Sequence, residues 1–129
     1  MAGRRVVVTG LGIVSPVGNT VQEAWDGIVA GKSGIGPITR FDATAFKSRI
    51  AGEVKGFDVS AYLPPKEARR MDVFIHYGMA AGIQAIRDSG LTASPENAHR
   101  VGVNIGSGIG GLPMIEDTHN DFLAGGPRK

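Results

Sequence analysis

RVVVTGLGIVSPVGN, residues 5–19, is the stretch on which the reading of this chain turns. Val6-Val7-Val8 is a β-branched apolar run with charge before it and glycine soon after, the pattern of a strand buried on both faces. Thr9-Gly10-Leu11-Gly12 then gives the backbone permissive φ/ψ just past that strand. A nucleotide-binding turn would start its helix inside the glycines. Here the chain runs on through Ile13-Val14 and a Ser15-Pro16 turn, and Asn19 stands where it can cap a helix with Gln22 in capping-box spacing. The delayed helix argues against a dinucleotide fold.

The chain has 129 residues, one domain's worth and long enough to bury a core. Apolar residues make up 42% and charged residues 20%, which argues against disorder. Glycine, 20 residues, stands well above its usual share of about 7% and marks places of close backbone approach. A net charge of +2 gives no global sign of nucleic-acid binding. There is no cysteine, hence no disulfide framework, thiolate metal site or cysteine nucleophile. No basic leader with an apolar core and no run of about 20 apolar residues is present, so the expectation is a soluble, cytoplasmic protein with no membrane association.

Working outward, a helix is predicted over Thr20–Ala30, with Val21, Trp25, Ile28 and Val29 on its packing face and Gly31 as its stop. Gly31–Asp42 reads as loop, Ser48–Val54 as a short strand and Lys55–Leu63 as irregular. Pro64-Pro65 opens a short helix carrying Lys66, Glu67, Ala68, Arg69 and Arg70. Asp72 caps the strongest helix, Val73–Asp88, closed by Ser89-Gly90. Its polar residues His76, Gln84 and Arg87 fall on a narrow strip, which predicts a helix buried almost all round. Gly78, Ala81, Gly82 and Ala85 form a smooth stripe for close backbone packing. Val101–Ile105 reads as a second buried strand, and Gly106–Gly111 leads into a helix with Leu112, Ile115, Phe122 and Leu123 on one side. The order of elements is α/β, and so apolar a central helix implies the front piece of something larger.

Several motifs invite a functional reading. Gly106-Ser-Gly108-Ile-Gly110-Gly111 satisfies G-x-G-x-x-G, but no acidic residue closes a second strand about 20 positions on. Gly27 to Ser33 is one residue short of a phosphate loop and follows a helix. Glu116 and His119 have Glu-x-x-His spacing, yet in one copy and without the other carboxylate helices, so no metal is expected. Lys66, Arg69 and Arg70, at i, i+3 and i+4, share a helix face. They are either a solvated face or an electropositive patch for an acidic protein or phosphate group, and Arg128 and Lys129 extend the set.

VVVTGLGIVSPVGN, FDATAF, AGEVKGFD, KEARRMDVFIHYGMAA, QAIRDSGL and IGSGIGGL, in that order across the whole chain, resemble the N-terminal part of the type II β-ketoacyl-acyl-carrier-protein synthases. The resemblance implies a thiolase-like fold, with α and β layers in the order αβαβα, of which residues 1–129 are the N-terminal portion, and a homodimer. It implies a condensing enzyme of fatty-acid synthesis needing no cofactor. An active-site cysteine takes an acyl chain from acyl carrier protein, and malonyl-carrier-protein is decarboxylated to attack the thioester, with two histidines in support. The matching cysteine and histidines lie beyond Lys129, so this chain holds no catalytic residue, and His76, His99 and His119 inherit no such role. Ile109 matches a residue lining the deep end of the acyl pocket, near the dimer interface. Lys66, Arg69 and Arg70 match the patch that docks acyl carrier protein, and Arg128 and Lys129 match its continuation. Other readings remain open: a non-catalytic protein that binds acyl carrier protein or caps a partner, a nucleotide-binding module, or a type I or polyketide-type condensing domain.

Overall fold

A computed structural model describes residues 3–127. The order of elements is α1 (Val21–Val29), β1 (Ile35–Pro37), β2 (Ile50–Gly52), a 3₁₀ turn at Val59–Ala61, α2 (Pro65–Ala68), α3 (Val73–Ser89), a second 3₁₀ turn at Ala98–Arg100 and α4 (Leu112–Gly125). The chain divides into two compact units. One comprises the residues up to Asp58 together with Ala80–Thr92, the other Val59–Met79 and the residues from Ala93 onward, so that α3 contributes to both.

In the first unit, the segment after the valines lies on the second half of α3. A side chain at Gly12 would strike the Ala81 carbonyl and come within 2.8 Å of the Ala85 nitrogen; one at Gly10 would come within 2.6 Å of the Ser89 nitrogen. Neither glycine has positive φ, so both serve close approach rather than the permissive φ/ψ expected of them. The contact is sealed by polar side chains of the helix. Asp88 accepts from the Leu11 N–H through Oδ2 (2.8 Å), and Gln84 accepts from the Ile13 N–H through Oε1 (3.2 Å). Gln84 Nε2 also donates to the Asn19 carbonyl (2.8 Å). Two residues of near-extended chain advance about 6.7 Å and four residues of helix about 6 Å, so alternate amides meet acceptors at i and i+4.

The Ser15-Pro16 turn forms as expected, with Ser15 and Gly18 exchanging backbone hydrogen bonds of 2.9 and 3.2 Å. The cap of α1 falls one residue later than predicted. Thr20 Oγ1 accepts from the Glu23 N–H (3.2 Å), and Glu23 Oε2 accepts from the Asn19 N–H (2.8 Å). Asn19 does not cap: its Nδ2 donates to the Lys55 carbonyl (2.8 Å), and its Oδ1, the atom a cap would use, is buried without a hydrogen-bond partner. Gly31, at φ 67°, ends the helix as read, and Gly90, at φ 65°, does the same for α3. The packing face of α1 differs from the expectation. Ala24 and Gly27 are its buried residues, while Trp25, Ile28 and Val29 are exposed. Trp25 and Ile28, with Val21, instead wall an open apolar groove of about 210 Å³ beside Leu11–Ile13.

β1 and β2 form an antiparallel pair with Gly36 opposite Ala51. β2 was expected within Ser48–Val54, whereas β1 lies in a stretch read as loop, because pairing overrides the weak strand propensity of Ile-Gly-Pro. Glu53 extends the join by taking the Thr39 N–H on Oε1 (3.1 Å) and the Thr39 hydroxyl on Oε2 (2.6 Å). The Thr39 hydroxyl and then its amide hold the Glu53 carboxyl below its ordinary range.

The two strands expected at Val6–Val8 and Val101–Ile105 do not form. Val6 is 91% and Val8 78% exposed, and Val103 and Ile105 are exposed as well. A strand exists through hydrogen bonds to a neighbour, and among the described residues the only sheet is β1–β2. The buried apolar residues among those described are Ala24, Ala43, Leu63, Ala68 and Ala80, a smaller core than chain length suggests. α3, read as buried almost all round, is mostly half-buried: Ala80 is its fully buried residue, and Val73, Phe74, Met79 and Ile86 are exposed. No described helix is long and apolar enough to cross a membrane.

Two outcomes follow for the protein carrying this chain. Gly12→Ala pushes a methyl into the Ala81 carbonyl and should cost about 1–3 kcal/mol, read as a lowered denaturant midpoint. Because the folded Glu53 carboxyl titrates below its unfolded value, its stabilisation is complete above about pH 4.3 and is lost as pH falls through the lowered folded value. The stability difference between wild type and Glu53→Gln should therefore shrink as unfolding is measured from about pH 6 down to pH 3.

Candidate functional site

The second unit carries every described residue for which a functional role was expected. Leu63 and Ala68 are buried and moor the short α2. Pro65 stands at its first position, where a missing N–H costs nothing. His76 of α3 hydrogen-bonds through Nε2 to the Ala68 carbonyl (2.8 Å) at the end of α2. With Ala68 turned inward, Lys66, Arg69 and Arg70 are all exposed. α2 is shorter than predicted. It ends at Ala68 with Arg69 as its C-cap, and Arg70 follows in a turn whose N–H donates to the Glu67 carbonyl (2.9 Å). The three cations thus occupy one helix end rather than one face of a continuing helix. Arg69 Nε donates to the Pro65 carbonyl (3.3 Å), which orients its guanidinium. Arg128 and Lys129 lie outside the described residues.

Ile109 sits in the loop before α4, 76% exposed. The loop is seated on the start of α3. Gly110, at φ 82°, lies over the Phe74 ring, and a side chain there would come within 3.0 Å of Cζ. A side chain at Gly111 would come within 2.7 Å of the Asp72 carboxyl carbon. Asp72 precedes the helix as expected, but through Oδ1 it accepts from the Val73 N–H (2.6 Å), the first helical amide rather than the second or third that a capping side chain takes. It also accepts from the Met114 N–H through Oδ2 (3.3 Å). The sequence reading missed this second bond, since 42 residues separate the partners and only the spacing of Asp72 from α3 was visible.

The glycine loop does not follow a strand, so its G-x-G-x-x-G pattern lacks the setting of a dinucleotide site. Glu116 and His119 lie on α4, and among the described residues no three His, Asp or Glu side chains come together as a metal-ligand set. What the unit presents is a cationic helix end and an apolar side chain on a glycine loop.

The family model described as "Beta-ketoacyl synthase, N-terminal domain" matches residues 3–126. The chain belongs to that family. Among curated relatives, this ketoacyl synthase domain is 59% identical, over all 129 residues, to 3-oxoacyl-[acyl-carrier-protein] synthase 2 of Vibrio cholerae. It is 54% identical over the same length to the protein of that name from Coxiella burnetii, and 51% identical over 126 residues to the one from Synechocystis. All or nearly all of the chain is covered, but it spans only 30–31% of the length of these relatives. Among solved structures, "The ishigamide ketosynthase/chain length factor" matches with a TM-score of 0.73 at 34% identity, covering 97% of this chain and 31% of that one. The likeness bears out the thiolase-like α/β reading, although the described residues themselves hold helices and one small sheet.

Proposed function

We propose that this chain is the N-terminal portion of a 3-oxoacyl-acyl-carrier-protein synthase, a cytoplasmic, homodimeric condensing enzyme of fatty-acid synthesis. The observation that carries the reading is 59% identity, without loss of coverage of this chain, to the synthase 2 of Vibrio cholerae. In the reaction, an enzyme thiolate takes the acyl group from a carrier thioester. Malonyl-carrier-protein then loses carbon dioxide, and the resulting carbanion attacks the acyl-enzyme carbonyl, releasing the thiolate and a 3-oxoacyl product. The thiol and the groups that support decarboxylation belong to residues outside this chain, which has no cysteine.

This segment contributes binding. Lys66, Arg69 and Arg70, exposed at the end of an anchored helix, meet an acidic carrier protein by electrostatic steering and charge-assisted hydrogen bonds. By the same resemblance, Arg128 and Lys129 belong to the carrier-binding set. Ile109 supplies an apolar wall to the acyl pocket, where a side chain among glycines narrows the space for a fatty tail. The 34% likeness to a ketosynthase/chain length factor favours, as a second reading, a polyketide-type condensing domain, and the higher identity to the synthase 2 relatives weighs for the first.

Reversing the charge at Lys66, Arg69 and Arg70 in the full-length synthase should raise the KM for acyl carrier protein by roughly tenfold or more and flatten its salt dependence. An unchanged KM with an unchanged salt slope removes the docking role. Ile109→Phe should shorten the accepted acyl chain, with kcat/KM for long chains falling by about tenfold. Equal activity across chain lengths removes the pocket role.

A further inference from the structure

Asp72 and Phe74 form a clasp under the loop that carries Ile109. The two oxygens of one carboxylate take amides from two helices, Val73 at the start of α3 and Met114 in the first turn of α4. Gly111 comes so close to that carboxylate that any side chain would displace it, and Gly110 turns with positive φ over the Phe74 ring. Ile109 therefore precedes two residues whose backbone is pinned from below, and its own exposed side chain has no such support. A side chain that measures length must be held by its backbone when nothing grips it directly.

We infer that Asp72 is a positioning residue for acyl chain length: by joining the first turns of α3 and α4 it sets the place of the Gly106–Gly111 loop and hence the depth at which Ile109 stops the acyl tail. This rests on the reading of Ile109 as a pocket wall. Asp72 touches no substrate. Its removal should change which acyl chains are accepted rather than how fast all of them react.

The test uses the full-length synthase and its Asp72→Ala, Asp72→Asn and Ile109→Phe variants. kcat and KM are measured with carrier-bound acyl chains of increasing length, and hydrogen exchange is followed at the Met114 amide. With Asp72→Ala, the ratio of kcat/KM between preferred and longer chains should move toward unity by about fivefold or more, and Met114 exchange should accelerate. Asn keeps one acceptor and should give an intermediate ratio, which also serves as the readout if the alanine variant does not fold. An equal fall in kcat/KM at every chain length would mean that Asp72 serves stability alone and would overturn the inference. An unchanged ratio in both Asp72 variants beside a shifted ratio in Ile109→Phe overturns it too, while leaving the pocket wall in place. If Ile109→Phe itself leaves the ratio unchanged, the pocket reading has failed and this inference falls with it.

Discussion

The backbone of Gly10–Ile13 lies against α3 at a distance no side chain permits, and the first unit is organised around that contact. Two glycines bring the main chain down onto Ala81 and Ala85, which puts backbone amides where they must find acceptors or lose a hydrogen bond. No neighbouring strand serves them among the described residues, so the helix does, through Asp88 and Gln84 spaced i and i+4. Gln84 then reaches the Asn19 carbonyl, and Asn19 reaches the Lys55 carbonyl. The path ties the entry to α1 and the end of the β1–β2 pair to the same helix. Small residues on both sides make the approach possible, and polar side chains at its edges complete it.

A comparable economy holds the second unit. Asp72 answers two helix N-termini with one carboxylate, and the space beside it exists because Gly111 has no side chain. His76 closes on the last carbonyl of α2. The short cationic helix is thereby anchored by its small and neutral residues, leaving Lys66, Arg69 and Arg70 to solvent. Charges on a fixed helix end have a defined geometry, unlike charges on a free loop.

Much of the helical structure was legible in the sequence because its signals are local. Gly31 and Gly90 end helices, Pro65 opens one, Asp72 precedes another, and the glycine loop delivers the chain into α4. The errors fall where the outcome depends on a distant partner. Asn19 had the right chemistry for a cap, but its side chain is held on the Lys55 carbonyl through Nδ2, and Thr20 and Glu23 take that role. Trp25 and Ile28 had the right periodicity for a buried face, yet Ala24 and Gly27 are the residues that pack. Val6–Val8 and Val101–Ile105 have strand composition and no strand, because composition supplies the propensity and only a neighbour supplies the ladder.

For the candidate site, the sequence alone placed a cationic cluster at Lys66, Arg69 and Arg70 and an apolar Ile109 among glycines. It also determined that this chain has no thiol nucleophile, since it contains no cysteine. Tertiary structure decided how those residues are held. The ending of α2 at Ala68, the seating of Gly110 and Gly111 on Phe74 and Asp72, and the second hydrogen bond of Asp72 all join residues far apart in the chain. A sequence pattern records what a residue can do within a turn or two of its own position. Which of several possible partners it takes is settled only when the backbone brings one of them within hydrogen-bonding distance.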